Sequence, residues 1–294
     1  MKMNLSAIMI GFICLFLQCS NAKETPIINS TSEKNKSMNK NSYFIDYSLR
    51  GNFEIYFNGI LIERKNTNGT IMNYQYLNQF IEESGEQDIT IKILPENGNT
   101  EISPNVLKSI ALKIYFSENG DTPPLKMVKN LVLPSYSKPQ NTVVYNWKVK
   151  MEVPFMRSKL KNIATNLTQE NIDRLFQEVK DYYINVQGII NSGDSKEYLR
   201  LYKNSIERET ETSYYTAQKK EDYITNLADR VEKSKNGMLQ IPNTQIVIHP
   251  NGLIVELQDK NYNTPLMSKD NSGKTRTFGL QLYRSIKTGK LEVY

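Results

Sequence analysis

Cysteine is almost absent from this chain. Its 294 residues include two cysteines, Cys14 and Cys19, and both lie close to the N-terminus. The remainder of the sequence therefore has no disulfide, no thiol nucleophile and no thiolate ligand for a metal. Any folded part must be held together without covalent cross-links.

Histidine is nearly as scarce, since His249 is the only one. A metal site would have to be built from carboxylates, and no Asp-rich calcium loop occurs in the sequence. The stretches "ENGNT" and "ENGDT" are typical of hairpin tips. We therefore expect no metal site and no cofactor.

A nucleotide-binding loop is also missing. The segment Gly273-Lys274-Thr275 is similar to the end of a phosphate-binding loop, but that loop needs a glycine where this chain has Ser268, and it must open a helix. From Thr275 the sequence runs "TRTFGLQLYR", and its alternating pattern predicts a strand. We interpret Ser272-Gly273-Lys274 as a turn that enters this strand.

The charge is mildly basic and evenly spread. There are 37 Lys and Arg against 31 Asp and Glu, a formal net charge of +6. The two signs alternate along the chain without an Arg-rich stripe of the kind that nucleic-acid binding requires. We expect no nucleic-acid partner.

The N-terminus has the pattern of an export signal. Lys2 precedes an apolar run over residues 5–17, which is too short to cross a bilayer comfortably. Small residues at Ser20 and Ala22 suit cleavage after Ala22, whereas "FLQC" resembles a lipobox in which Cys19 would be acylated. Both routes predict a signal peptide over residues 1–22 and export across the inner membrane, either to the periplasm or to a lipid anchor on the cell envelope.

Residues 23–42, "KETPIINSTSEKNKSMNKNS", are polar and show no apolar period. This composition predicts a flexible tether. Directly after Cys19, such a tether favours the lipid-anchored alternative, because it would hold the folded part away from a membrane.

Residues 43–155 repeat with a period of 2. "FEIYFNGILIE" alternates on both sides of Asn58-Gly59, a strong hairpin signal, and "QDITIKILP", "LKIYFSENGD" and "TVVYNWKVKMEVPF" continue the alternation. A short helix is expected near "YQYLNQFIEES". The pattern predicts an antiparallel β-sandwich that is immunoglobulin-like in architecture and lacks the cysteine pair of antibody domains.

Residues 162–294 change to a helical period and later return to strands. The first helix is expected to open with Thr168 as its N-cap and to stop at Gly193-Asp194. A second helix comes directly after it, and a third is expected over residues 216–232. The strands are predicted in "TQIVIH", "LIVELQ", "TRTFGLQLYR" and "KLEVY". This order predicts a second, α+β domain with helices packed on a curved antiparallel sheet.

A long first helix followed by "GD", and helices followed by a meander of strands, resemble the nuclear transport factor 2-like (SnoaL-like) cone fold. The resemblance covers residues 162–294. It implies a concave sheet that can hold a pocket. It implies no particular reaction, because the fold supports enzymes, ligand binders, immunity partners and oligomerisation modules alike.

Four side chains are candidates for a binding site. Glu256 lies on the face of its strand opposite Val255, where it would enter a pocket if the sheet is concave on that side. His249 precedes a turn and is expected to be a turn-facing polar residue or a pocket group. Tyr214 and Tyr215 are expected on an exposed connection between helices, where tyrosine often anchors a protein partner.

No complete catalytic set is present, so we assign no catalytic residues. We expect a non-enzymatic exported binding protein that acts on an unknown protein partner, one version being an immunity protein that blocks a toxin. The alternative is a small-molecule binder, or an enzyme of hydrolase or isomerase type, that uses the interior of the cone. A deep interior with converging polar groups would favour the alternative, and an interior filled by aliphatic side chains would exclude it.

Overall fold

The structure of this chain is a computed structural model that describes residues 39–66, 69–120, 125–270 and 273–294. The expected signal peptide over residues 1–22, its Cys19, and most of the expected tether over residues 23–42 lie outside the described residues. Ser272, in the expected turn before Gly273, also lies outside them.

Antiparallel strands come first, then a block of helices, and strands return after it. The strands are β1 (Ser42–Arg50), β2 (Asn52–Phe57), β3 (Ile60–Lys65), β4 (Thr70–Tyr76), β5 (Gly85–Leu94), β6 (Ala111–Ser117), β7 (Lys126–Leu131), β8 (Val143–Met151), β9 (Thr244–Ile248), β10 (Ile254–Asp259), β11 (Met267–Lys269), β12 (Thr275–Thr277), β13 (Leu282–Arg284) and β14 (Leu291–Val293). The helices are α1 (Pro104–Lys108), α2 (Leu160–Ile163), α3 (Ile172–Ser192), α4 (Ser195–Leu201), α5 (Lys203–Thr212) and α6 (Ala217–Glu232). The fold class is therefore mixed α+β and rich in antiparallel sheet.

Strands β1 to β8 form two four-stranded antiparallel sheets, in the orders β4-β1-β6-β7 and β3-β2-β5-β8. Tyr47 and Leu112 of the first sheet belong to the same buried cluster as Ile55 and Ile91 of the second. The two sheets thus pack face to face, as the alternation in the sequence predicts. An immunoglobulin-like topology, and separate domains over residues 43–155 and 162–294, stay predictions. Met38–Tyr294 form one compact unit.

The hairpin expected at Asn58-Gly59 is confirmed. Both residues adopt positive φ, 50° and 73°, and Phe57 pairs with Ile60 across the turn. A β-carbon on Gly59 would lie 2.9 Å from the backbone nitrogen of Asn251, which donates a hydrogen bond to the carbonyl of Gly59. Glycine is therefore required at position 59 for two reasons: the turn needs positive φ, and the loop between β9 and β10 lies too close for a side chain.

The short helix expected near "YQYLNQFIEES" is present only as a 3-10 helix of three residues. Strand β4 continues to Tyr76, and only the three residues Asn78–Phe80 form a 3-10 turn. The ring of Phe44 on β1 stacks on Tyr74 with the centroids 4.7 Å apart and contacts Tyr76 at 5.3 Å. These cross-strand aromatic contacts favour strand over helix.

Helix α3 is capped at both ends. Helix α3 opens at Asn171, not at Thr168 as expected, because the Asn171 side chain accepts the N–H of Arg174 at 2.9 Å. It ends at Gly193, whose φ is 74°. The sequence pattern does not predict helix α5, since the acidic run it occupies lacks an obvious apolar period. The third expected helix is α6.

The third sheet has the order β14-β13-β10-β9 and lies between the helices and the first core. On one face, Val255 and Leu257 pack with Val179 of α3. On the other face, Ile254 and Tyr283 join the cluster of the first two sheets. The described part of the chain contains no helix long and apolar enough to cross a membrane.

The single strand expected over "TRTFGLQLYR" is wrong. Strand β12 pairs only with β11 in a separate two-stranded sheet, and β13 starts after a gap of irregular backbone. Phe278 and Leu280, on either side of Gly279, are both buried in the helix-side cluster. Residues 278–281 therefore lie outside the sheet, and Phe278 and Leu280 fill that cluster. The candidate site lies beside this break between β12 and β13.

Candidate functional site

A cavity of about 520 Å³ lies where strand β3 faces strand β10. Its wall includes Arg64 of β3, Glu256 and Gln258 of β10, and Ser205 and Arg208 of α5, together with residues 279–281. Cavities that bind small molecules commonly measure about 300–1,000 Å³. This one has the size of a small-ligand site and an unusually polar wall.

The cavity opens because the third sheet splits. Strands β10 and β13 pair at only two positions, Ile254 with Tyr283 and Val255 with Leu282. Beyond them, the Tyr183 hydroxyl of α3 accepts the N–H of Leu257 at 3.0 Å and donates to the carbonyl of Leu280. Burial raises the pKa of Tyr183 far above its ordinary value, so the hydroxyl keeps the proton that it donates.

Glu256 presents its carboxylate to the cavity between two amides. The Gln258 side chain donates to Oε1 of Glu256 at 2.5 Å, and that of Gln281 donates to Oε2 at 3.5 Å. The Glu256 side chain is 14% exposed. It is positioned from both sides and still open to the cavity.

His249 is buried behind Glu256, so the expectation of a turn-facing polar residue is wrong. Its Nδ1 accepts the backbone N–H of Leu61 at 3.2 Å. The ring proton therefore resides on Nε2, which lies 3.5 Å from Oε1 of Glu256 and has no hydrogen-bond partner among the described residues. The structure brings these two candidates together, with Glu256 on the cavity wall and the buried His249 ring beside it.

A buried charge network extends the polar wall into the second sheet. Arg64 donates to the side-chain oxygen of Gln258 and pairs with Glu54 at 2.7 Å. Glu54 also accepts from Tyr56 at 2.5 Å and from Lys92 at 3.2 Å. Burial raises the pKa of Glu54, but the Tyr56 hydrogen bond and the two cations outweigh it, and the net pKa is lowered.

Arg208 lies on the opposite element, α5. Its guanidinium stacks over the Tyr294 ring at 3.6 Å and donates to Ser205 at 3.3 Å. No carboxylate of the described residues lies within ion-pair distance of it. Burial lowers the pKa of Arg208, although an arginine remains protonated throughout the physiological range.

Tyr214 and Tyr215 lie away from the cavity. The Tyr214 hydroxyl donates to the carbonyl of Asn41 at 2.7 Å and accepts from the Asn78 amide at 3.2 Å. Tyr215 packs edge-on against Tyr223 with the centroids 5.8 Å apart. Both rings are half-buried, and Tyr214 attaches the helices to the first sheet. A role of either residue in binding another protein stays a prediction.

Sequence reasoning missed Arg64, Arg208 and Tyr183. Arg208 lies in "ERETET", a stretch that is typical of a solvated helix face, and Arg64 lies near the end of an amphipathic strand. Tyr183 has the helical spacing of an ordinary core residue. No local signal marks any of them, because each acts on a residue far away in the sequence.

Neither a family model, nor a curated protein, nor a solved structure matches this chain. Its function is therefore inferred from the site.

Proposed function

We propose that this chain is an exported binding protein that takes a small polar molecule into the cavity between β3 and β10. One observation carries the proposal. Where the third sheet splits, the side chains of Glu256, Gln258 and Gln281 converge on open space and not on an aliphatic core. Converging polar groups in a concave site are the usual mark of ligand recognition. The export component depends on the leader pattern of residues 1–22.

The proposed site is not the cone interior that the resemblance of residues 162–294 implies, since an interior filled by aliphatic side chains excludes that location. The helix-side face of the sheet is filled by Val179, Val186, Val255 and Leu257. The ligand space is at the open edge of the sheet, against β3. The site therefore depends on both halves of the folded chain.

The proposal is tested with a library of amino acids, sugars, organic acids and nucleotides, screened against the mature protein by thermal shift and native mass spectrometry. We expect at least one compound to bind with micromolar to millimolar affinity. A Ser205→Trp variant, which places an indole in the cavity, should lose that binding. The control Ser192→Trp, at an exposed position of α3, should retain it. If no compound stabilises the wild-type protein, the proposal is wrong.

A second candidate is binding to a protein, including the version in which the chain is an immunity protein. It is favoured by exposed apolar side chains on the edge strands β7 and β8 and the segment after β7: Met127, Val132 and Val144 are 57%, 63% and 61% exposed. Lys129 and Lys148 lie among them, so the partner would be an extended segment with acidic and apolar residues. A Met127→Asp/Val144→Asp variant should lose a partner that the Ser205→Trp variant still captures from envelope extracts.

A further inference from the structure

Binding of a polar ligand does not by itself explain one feature of the cavity, the guanidinium of Arg208, which has no counter-charge among the described residues. Four other arginines with largely covered side chains each hold a carboxylate: Arg64 with Glu54, Arg157 with Glu211, Arg276 with Asp270 and Arg284 with Glu170. Arg208 is the exception among these five. A partly buried charge without a counter-charge is costly, and proteins normally keep one where it will be paired.

The stacking on Tyr294 does not remove this cost. A cation–π contact occupies one face of the guanidinium plane, whereas its N–H groups point outward along the edge. Among the described residues, only Ser205 accepts a hydrogen bond from that edge. Tyr294 is itself fixed, since its backbone N–H donates to the carbonyl of Gln281 at 2.8 Å. The ring therefore holds the guanidinium in place, and its other N–H groups have no acceptor among the described residues.

The guanidinium of Arg208 borders two cavities. Arg208, Tyr294 and Gln79 line the cavity of about 520 Å³ and also a second cavity of about 320 Å³. Gln79 has no side-chain hydrogen bond within the described residues, so its amide is a further free donor at the same place. Two neutral donors, Gln79 and Ser205, thus accompany one unpaired cation.

We propose that the ligand of this cavity is a small hydroxylated organic anion whose carboxylate or phosphate group is held by Arg208. The fork of the guanidinium matches two oxygens of either group, and Gln79 and Ser205 supply the remaining hydrogen bonds. The Glu256 carboxylate and the neighbouring amides accept hydrogen bonds from hydroxyl groups on the rest of the molecule. This inference rests on the proposed function and narrows it to one chemical class.

The test uses two matched pairs of probes at constant ionic strength: D-galacturonate with D-galactose, and D-glucose 6-phosphate with D-glucose. Binding to the mature protein is measured by calorimetry and thermal shift. We expect one acidic member to bind at least about 10-fold more tightly than its neutral partner, the effect of a charge-assisted hydrogen-bonded pair. Whichever acid binds identifies the group as carboxylate or phosphate.

Arg208→Gln should abolish this preference, and Arg50→Gln, which changes an exposed arginine on β1, should leave it intact. If Arg208→Gln does not fold, Arg208→Lys keeps the charge and loses the fork, and should weaken binding of the acid that the wild type prefers.

Equal binding of the acid and its neutral partner overturns the inference from wild-type data alone. Undiminished binding of the acid to a folded Arg208→Gln or Arg208→Lys variant also overturns it. Both results leave the proposed function standing. If neither member of either pair binds, the anion assignment is wrong, and the library screen with Ser205→Trp decides the proposed function separately.

Discussion

The hydroxyl of Tyr183 accepts the backbone N–H of Leu257 at 3.0 Å and takes the place of a strand partner. On its other side it donates to the carbonyl of Leu280. One side chain from helix α3 therefore satisfies two backbone groups at the point where β10 and β13 separate. Without this bridge, the open edge of the sheet beside the cavity would expose two unpaired polar groups to a buried environment.

We expect Tyr183→Phe to destabilise the protein by about 2–4 kcal/mol, since a buried N–H and a buried carbonyl each lose their partner. The free energy of unfolding is measured by urea denaturation. Tyr182→Phe is the matched control, because Tyr182 is the adjacent, half-buried tyrosine of the same helix. A loss no larger than that of the control would contradict the bridging role.

Gly59→Ala is expected to cost about 2–3 kcal/mol, because it combines backbone strain with a steric clash. Gly59 has a φ of 73°, and its added β-carbon would lie 2.9 Å from Asn251. Gly289→Ala is the control, since Gly289 has a φ of 68° and nothing within 4 Å of an added β-carbon. The control should lose only the stability that backbone strain costs, about 1 kcal/mol. Equal losses in thermal unfolding would show that the approach of the hairpin to Asn251 adds nothing.

Local signals were sufficient for much of the fold. The Asn58-Gly59 turn was predictable because positive φ is a property of the two residues themselves. The alternation around Val255 likewise separates the aliphatic face of β10 from the face that carries Glu256. Such features depend on neighbours a few positions away.

Long-range contacts decided the rest. The break after β12 depends on Tyr183, which is 97 positions from Leu280. His249 is buried because its ring accepts from Leu61, 188 positions away. Arg208 is indistinguishable in sequence from a solvated helix charge until α5 is packed against Tyr294. A single sequence contains no local record of these contacts, so the cavity could not be derived from it.

The stability of the protein should fall in acid partly through Glu54. Its folded-state pKa lies below the ordinary value of 4.5, so its contribution is fully present above that value and is lost as the pH falls through the folded pKa. We expect the free energy of unfolding to decrease more steeply between about pH 5 and 3 in the wild type than in Glu54→Gln. Equal slopes in pH-dependent urea denaturation would show that Glu54 is not stabilised by its partners.

Tyr56→Phe offers a second test of what lowers the pKa of Glu54. It removes the hydrogen bond from Tyr56 to Glu54 and leaves the ion pairs with Arg64 and Lys92 in place. The pKa of Glu54 should then rise, and the acid-induced loss of stability should begin at higher pH. An unchanged onset would assign the lowered pKa to the two cations alone.

The two export routes predict different mature proteins. If Cys19 is the acylated residue of a lipobox, the protein recovered from a bacterial envelope fraction should begin at Cys19 and carry a diacyl or triacyl mass, and a Cys19→Ala variant should lose it. If cleavage follows Ala22, the chain should begin at Lys23 without modification. Intact mass spectrometry separates these outcomes. A protein that retains residues 1–22 after expression in a bacterial host would contradict both routes and would remove the export component of the proposed function, while the ligand experiments on the cavity would stand unchanged.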